Sequence, residues 1–385
     1  MNTKNKSSDG LKAYYFSLKK FILNSVVFMV PYFRRLLRFL ALPYCYFKIV
    51  NWEECNASRY HVFKDLLYIF FTLKYFPDNY SKCRLWEKDR NQWHFYYGSI
   101  YDPYQRARLR KEVQPKEYEI LFEDKYVCYQ LCMAAGLPLP KLYTYITPYD
   151  NFKATISGIL RKEPTIKLII KPLLGKGGLG IVTAFISSGN LIVKNNERDF
   201  PPDDFVLSTP AVIQQYIQQH EKLDQMSPSI NTIRTVTLLT KSGEIILVGA
   251  AMRFGVGDSL FDNMCLGGVG VGINITEGTL KKYAYDFSSR VYLKHPTSDI
   301  LFEGFHVPHW NAIVDLAKKI QASFSYYKLL GYDIAVTPDG PVVIEINAAH
   351  DNVWLEQSYG PILADKKVRE EFDKYNLLIN KASRT

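Results

Sequence analysis

Acidic side chains are nearly missing from the front of this chain: among its first 50 residues Asp9 stands alone against nine Lys and Arg. The chain also lacks an apolar run of membrane-spanning length. Its longest, Phe21 to Phe33, is broken by Asn24, Ser25 and Pro31, whereas a span needs roughly 20 predominantly apolar residues. No small-residue cleavage site follows that run; Tyr32-Phe-Arg-Arg-Leu-Leu-Arg38 stands there instead, which speaks against a secretory signal. The six cysteines (Cys45, Cys55, Cys83, Cys128, Cys132 and Cys265) show no paired metal spacing. They read as reduced thiols of a cytosolic protein, with Cys128 and Cys132 packing on one helix. No Ser-His-Asp or Cys-His arrangement is evident, no internal repeat recurs, and no βαβ unit is readable in the first third.

What is present begins with an uneven charge. The formal net charge is +10, yet residues 1–112 hold 20 Lys and Arg against 9 Asp and Glu, and the remainder is nearly neutral. Within the basic part, Leu11 to Val50 is dense in Phe, Tyr, Leu and Ile, with Lys19, Lys20, Arg34, Arg35 and Arg38 interspersed. Such a segment suits an anionic lipid surface, at the inner face of a cell membrane, with Lys and Arg reaching the headgroups. The alternatives are aromatic packing on the rest of the molecule or on a partner protein, and a signal anchor. Nucleic acid is not the expected partner, since no recognition motif accompanies the charge.

Periodicity divides the chain into a disordered tail at 1–10, a basic helical region at 11–112, a first lobe at 113–210 and a second at 211–385. A helix opens at Asp124-Lys125 and closes at Gly136-Leu-Pro-Leu-Pro140. Strand patterns follow at 142–146, 166–171, 181–186 and 211–217, with a hairpin over 232–240 and 244–253. A long amphipathic helix fills about 309–330. The pattern predicts an α+β fold rather than a doubly wound sheet.

Two constellations carry chemistry. In Gly331-Tyr-Asp-Ile-Ala-Val-Thr-Pro-Asp-Gly-Pro-Val-Val-Ile-Glu-Ile-Asn347, a three-residue turn at Pro338, Asp339 and Gly340 would pair Asp333 with Glu345. Alternation puts Asn347 on the same face. Two carboxylates and an amide among apolar neighbours suit a hard cation such as Mg²⁺, the alternative being a solvated polar face. Upstream, an apolar strand ends in Lys171 and runs into Gly175-Lys-Gly-Gly-Leu-Gly180. Its glycines (Gly175, Gly177, Gly178, Gly180), with Lys176, form an anion nest or a flexible hairpin. The order is neither a Walker loop nor a dinucleotide fingerprint, because a strand follows the glycines. Arg234 and Arg253 lie in apolar strands and need a phosphate, a carboxylate or a buried acid as partner. Asp262, Asn263, Gly267 and Gly268 open a second glycine-rich section through Gly272, readable as a loop closing over an acceptor or as a closely approached strand.

These blocks, together with Val212-Ile-Gln-Gln-Tyr-Ile-Gln-Gln-His220, His295-Pro296 and Pro308-His-Trp310, resemble in order the ATP-grasp superfamily, and within it the sugar-transfer-associated ATP-grasp proteins. The resemblance covers roughly 85–380. It implies an ATP-grasp fold, two α+β lobes clasping ATP. Lys125 and Lys171 would contact phosphates beneath the 175–180 loop, and Gln215, Tyr216 and Ile217 would meet adenine. Glu221 or Asp224 would take the ribose, and Asp333, Glu345 and Asn347 one or two Mg²⁺. Arg234 and Arg253 would stabilise the transferring phosphoryl group and the substrate carboxylate. The implied reaction is carboxylate–amine ligation through an acylphosphate, on a cell-surface polysaccharide or its precursor. The partners would be a small carboxylate and an amine, one of them glycan- or lipid-linked. A sugar or polyol kinase and a non-catalytic nucleotide-binding module are the alternatives. The basic helical segment stands where many such ligases carry an α/β substrate domain, which leaves the acceptor open.

Overall fold

The computed structural model describes residues 29–30, 33–98, 102–175, 177–195, 198–259, 261–380 and 383. The tail at 1–10, most of the basic segment's first half and Lys176 therefore lie outside the described residues.

Two antiparallel sheets organise the chain. The smaller contains β1 (Leu142–Ile146), β2 (Lys167–Pro172), β3 (Val182–Ser187), β4 (Asn190–Lys194), β5 (Asp199–Phe200) and β6 (Ala211–Gln215), in the spatial order β1-β6-β2-β3-β4-β5. Helix Phe152–Lys162 starts at Asn151, whose side chain accepts from Ala154 N, and buries Phe152, Ile156 and Leu160. That spacing of about one turn lays one stripe against Leu168, Ile170, Val182 and Ile213 of the sheet.

The larger sheet contains β7 (Thr232–Leu239), β8 (Ile245–Phe254), β9 (Val269–Asn274), β10 (Thr279–Asp286), β11 (Val291–Tyr292), β12 (Leu329–Thr337) and β13 (Gly340–Asn347), ordered β11-β10-β9-β8-β7-β12-β13. Period-two alternation on β7 splits its side chains between two cores. Ile233 packs with helix Trp310–Ser323 and helix Lys125–Ala134, including Cys128 and Cys132. Val236 and Leu238 face the opposite side, toward Leu355, Phe372, Leu109 and Val113. The fold is α+β, as the sequence pattern predicts.

Two local expectations are corrected, and one open alternative is decided. The helix near 309–330 stops at Ser323. Phe324 turns into the core, and Leu329 and Leu330, which continue the apolar period, belong to β12. The hairpin turn has two residues, not three, because Thr337 pairs with Gly340. Asp333 nevertheless faces Glu345, since a bulge between Asp333 and Ile334 shifts the register by one. The alternating Gly–Val run after Gly268 is strand β9, not a closing loop. A Cβ on Gly272 would lie 2.5 Å from Ser358 O and 2.8 Å from Tyr359 Cα. Glycine there lets helix Asn352–Tyr359 lie directly on the sheet.

Residues 33–98 form a helical lobe with its own core, built on Leu42, Val62, Leu66, Ile69, Tyr80, Leu85 and Trp93. It meets the body through Asn51 Nδ2, which donates to Ser288 O at 2.7 Å, and Arg84 Nη1, which donates to Ser289 O at 2.9 Å. The Glu356 carboxylate accepts from Tyr97 N at 2.7 Å and Gly98 N at 3.3 Å.

Candidate active site

Between the sheets lies a cleft of about 810 Å³, within the size range of small-molecule sites. Its floor is the open part of the larger sheet. Three strands in register carry a charged row across it: Glu345 on β13 faces Asp333 on β12, and Asp333 faces Arg234 on β7. Arg234 grips Asp333 with both edges, Nε to Oδ1 at 2.5 Å and Nη2 to Oδ2 at 3.1 Å. Arg253 on β8 reaches the same carboxylate, Nη2 to Oδ2 at 3.0 Å, and lies 3.5 Å from Asp262 Oδ2 through Nε. Thr232 links the pair: its Oγ1 accepts from Arg253 Nε at 3.1 Å, and its N–H donates to Asp262 Oδ2 at 2.7 Å.

Asp333 is 3% exposed, so burial alone pushes its carboxyl upward. The Arg234 and Arg253 guanidiniums outweigh that and hold it well below the usual carboxylate range. Asp262 is raised by burial, which the nearby Arg253 only partly offsets. Asn347 Nδ2 approaches Asp333 Oδ2 at 3.4 Å. Of the two carboxylates in the predicted metal trio, Glu345 has no guanidinium partner among the described residues; Lys125 Nζ lies 3.7 Å from its Oε1. Among the described residues no group of three or more His, Cys, Asp and Glu side chains is arranged to hold a metal ion.

The roof is the smaller sheet and its glycine loop. Lys125, the first residue of helix Lys125–Ala134, is fixed by its N–H to Leu173 O at 3.1 Å and by Nζ to Gly175 O at 2.9 Å. The Asp124 side chain caps that helix. Gly175, Gly177, Gly178 and Gly180 all take positive φ, between +73° and +136°, a conformation in which side chains other than glycine are strained. Gly177 and Gly178 border the cleft opposite Asn263. Gly180 turns the chain back over Pro172 and does not line it.

Lys171 is the buried cation of this roof. Burial pushes its ammonium down to about 8, while Glu345 and Asp333 pull the other way. Among the described residues no acid lies within 4 Å of it. Below about pH 8 the lysine is charged in the folded and the unfolded chain alike. Above that value the folded chain releases its proton first, so its burial penalty eases as pH rises toward about 10.4. An anionic ligand needs the charged form and must draw the proton back. If the ligand is MgATP, as the sequence resemblance implies, its Kd is expected to rise about tenfold between pH 7 and pH 9, and to stay nearly flat in Lys171→Arg. Equal pH profiles for the two proteins, measured by calorimetric titration, would remove Lys171 from the ligand contact.

At the other end, Gln215, Tyr216 and Ile217 line the cleft as the chain leaves β6. Gln215 N and Tyr216 N are already bonded to Lys141 O and Lys167 O, each at 2.8 Å. His220 N then bonds Val336 O at 2.8 Å, which ties this connection to the larger sheet. Glu221 opens helix Glu221–Met226, is exposed and does not line the cleft; Asp224 accepts from Gln219 Nε2. Gly267 ends a 3₁₀ turn after Asn263. Gly268 sits so close to Asp262 O and Phe254 O (2.7 and 2.8 Å from a Cβ) that its place is one of packing.

Sequence reasoning missed several lining residues: Thr232, Asp351, Trp354 and Ser358. Asp351 caps helix Asn352–Tyr359, Oδ1 accepting from Val353 N at 2.9 Å, and burial raises its carboxyl to about 6. Burial holds the His350 imidazole down at about 3, so it stays neutral. An acid preceding a capped helix was the available signal for Asp351, but only the tertiary fold turns that cap into the cleft.

A model of the family described as sugar-transfer associated ATP-grasp matches residues 104–370. No curated protein matches the chain. Among solved structures, a RimK-domain ATP-grasp protein from Sphaerobacter thermophilus is similar at 12% identity and a TM-score of 0.33, over 69% of this chain and 68% of that one. A D-cycloserine synthetase is similar at 14% identity and 0.39, over 66% and 71%. D-alanyl-alanine synthetase A from Vibrio cholerae is similar at 11% identity and 0.40, over 69% and 67%.

Proposed function

The chain belongs to the sugar-transfer associated ATP-grasp family, and from that premise we propose that it is an ATP- and Mg²⁺-dependent ligase joining a carboxylate to an amine through an acylphosphate. The observation that carries this reading is the convergence of Lys125, Lys171, Arg234 and Arg253 on one cleft roofed by a glycine loop. Four cations in a half-buried site suit a polyphosphate and a charged acid held together.

In this reading a carboxylate oxygen of the acid attacks the γ-phosphorus, the bond to the bridging oxygen breaks, and ADP leaves. The amine nitrogen then attacks the acyl carbon, phosphate departs, and the nitrogen gives up a proton. Lys125 and Lys171 hold phosphate oxygens from the roof. Arg253, anchored by Asp333 and Thr232, presents its guanidinium to the transferring group, and Arg234 does so from the next strand. Glu345 and Asn347, with Asp333 behind them, are the donors that would hold Mg²⁺. Two carboxylates and an amide are oxygen donors of the kind that would suit a hard divalent cation. When bound, the ion neutralises phosphate charge.

Ligation asks little of a side-chain base, whereas a kinase acting on a hydroxyl asks for one near the acceptor. His350 is too acidic to serve. His295 is buried with Nε2 2.9 Å from Gly255 O, outside the cleft lining. Asp351 lines the cleft with a carboxyl raised to about 6, and in this reading it would take the amine's proton. The family description supports a substrate linked to a cell-surface glycan or its precursor, by association alone.

ADP release should require both an acid and an amine, and hydroxylamine should replace the amine and yield a hydroxamate. ADP release driven by a hydroxyl sugar, with no hydroxamate, would favour the kinase; no turnover with intact ATP binding would favour the nucleotide-binding module.

A further inference from the structure

We infer that the outward face of the helical lobe at residues 33–74 seats on a lipid bilayer surface carrying anionic headgroups. Helix Arg59–Tyr68 runs directly into the π-helical turn Ile69–Leu73. One side, Val62, Leu66, Ile69 and Leu73, fills the lobe's core. The other, Tyr60, Phe63 and Phe71, repeats at helical spacing and stands exposed by 63%, 52% and 57%. A helix apolar on both sides needs a second apolar partner.

The preceding segment supplies the rest of the patch. Leu36, Leu40, Tyr44 and Phe47 are exposed by 65%, 74%, 63% and 64%. Ring contacts join the two segments into one surface: Phe39 lies 5.7 Å from Phe71, and Tyr46 lies 4.9 Å from Phe47 and 6.4 Å from Phe63. A contiguous exposed apolar surface of this kind marks an interaction site.

Charge selects the occupant. Arg34, Arg38, Lys48, Lys64 and Lys74 are exposed on the same stretch, and among the described residues none has an acid within 4 Å. The acids of the stretch are turned away. Glu53 and Glu54 face Arg290 of the body, Glu54 also pairs with Arg84, and Asp65 is buried against Tyr80 and Arg90. Aromatics ringed by unpaired cations match an anionic interface, where rings enter the headgroup layer and cations meet phosphate. Among the described residues no helix is long and apolar enough to cross a membrane, so the lobe lies on the surface. Its opposite side is bonded to the body at Ser288 and Ser289. There Lys82 Nζ lies 3.8 Å above the Phe287 ring, which stacks on Trp354 of the cleft lining.

The test is co-flotation of the full chain with vesicles of phosphatidylcholine alone or containing phosphatidylglycerol, across a salt series. Binding should require the anionic lipid and weaken with salt. Leu40→Glu/Phe63→Glu should lower it at least tenfold, and Arg38→Glu/Lys64→Glu should abolish its salt dependence, with thermal midpoints unchanged because all four side chains are exposed. No vesicle binding by the full chain overturns the proposal. So does binding that survives both double variants, which would locate the lipid contact elsewhere. A wild-type dimer that the apolar variant makes monomeric, without lipid binding, assigns the patch to a second copy. Vesicle binding needs no turnover, so this result stands or falls apart from the ligase reading.

Discussion

Replacing Glu345 with glutamine is expected to lower ATP-dependent turnover by about 10²–10³-fold while leaving the folded chain as stable as before. The reason lies in the charged row. Glu345 and Asp333 are register partners, but their surroundings differ. Asp333 spends both oxygens on Arg234 and Arg253, whereas among the described residues Glu345 has Lys125 alone, at 3.7 Å, and a side chain one third exposed. A carboxylate so placed contributes little to folding and would be free to hold a divalent cation, whose charge would offset that of the phosphates. Glutamine keeps the shape and removes the charge. Turnover and the thermal midpoint should therefore separate: the first collapses, the second stays. Near-normal turnover in Glu345→Gln would take that residue out of the metal's reach.

Asp333→Ala should do the reverse first. It leaves two guanidiniums about four-fifths buried around an empty position, and breaking such a pair costs about 3–5 kcal/mol. The loss should show in urea unfolding without nucleotide, before any question of catalysis. The pH dependence carries a sign. Because the folded-state pKa is depressed, Asp333's contribution is full above the unfolded carboxyl value near 3.9 and is lost only as pH falls through the lower folded value. From pH 5 to 8 the deficit of the variant should be constant. An unfolding midpoint equal to wild type would mean that the arginines find other partners and that the row is not a unit.

Much of this was legible because it is local. Strands over 166–171, 211–217 and 244–253 announce themselves by their apolar pattern, and the helix at Lys125 by its acid cap and its Gly-Pro exit. The Asp333–Glu345 pairing was reached through a turn one residue too long, which the bulge at Asp333 happens to compensate. What stayed hidden is long-range. Arg234 and Asp333 are 99 positions apart, and no periodicity says that β7 lies beside β12. That pairing turns two expected phosphate ligands into partners of an expected metal ligand. The Gly–Val run of β9 was ambiguous for a related reason: a glycine that yields to a ligand and one that yields to helix Asn352–Tyr359 look alike until the helix is placed. The basic aromatic segment pointed toward lipid without showing which aromatics are spent on the lobe's own core and which are left outside.

Carboxylate activation by ATP in the cleft, as proposed, can be followed atom by atom. Its most direct test is oxygen transfer from the acid identified by hydroxamate trapping, labelled with ¹⁸O in both carboxyl oxygens. One labelled oxygen should appear in the released phosphate, with ADP and amide formed in equal amounts. Unlabelled phosphate with both labelled oxygens retained on the acid would contradict the account, because no acylphosphate would then have formed.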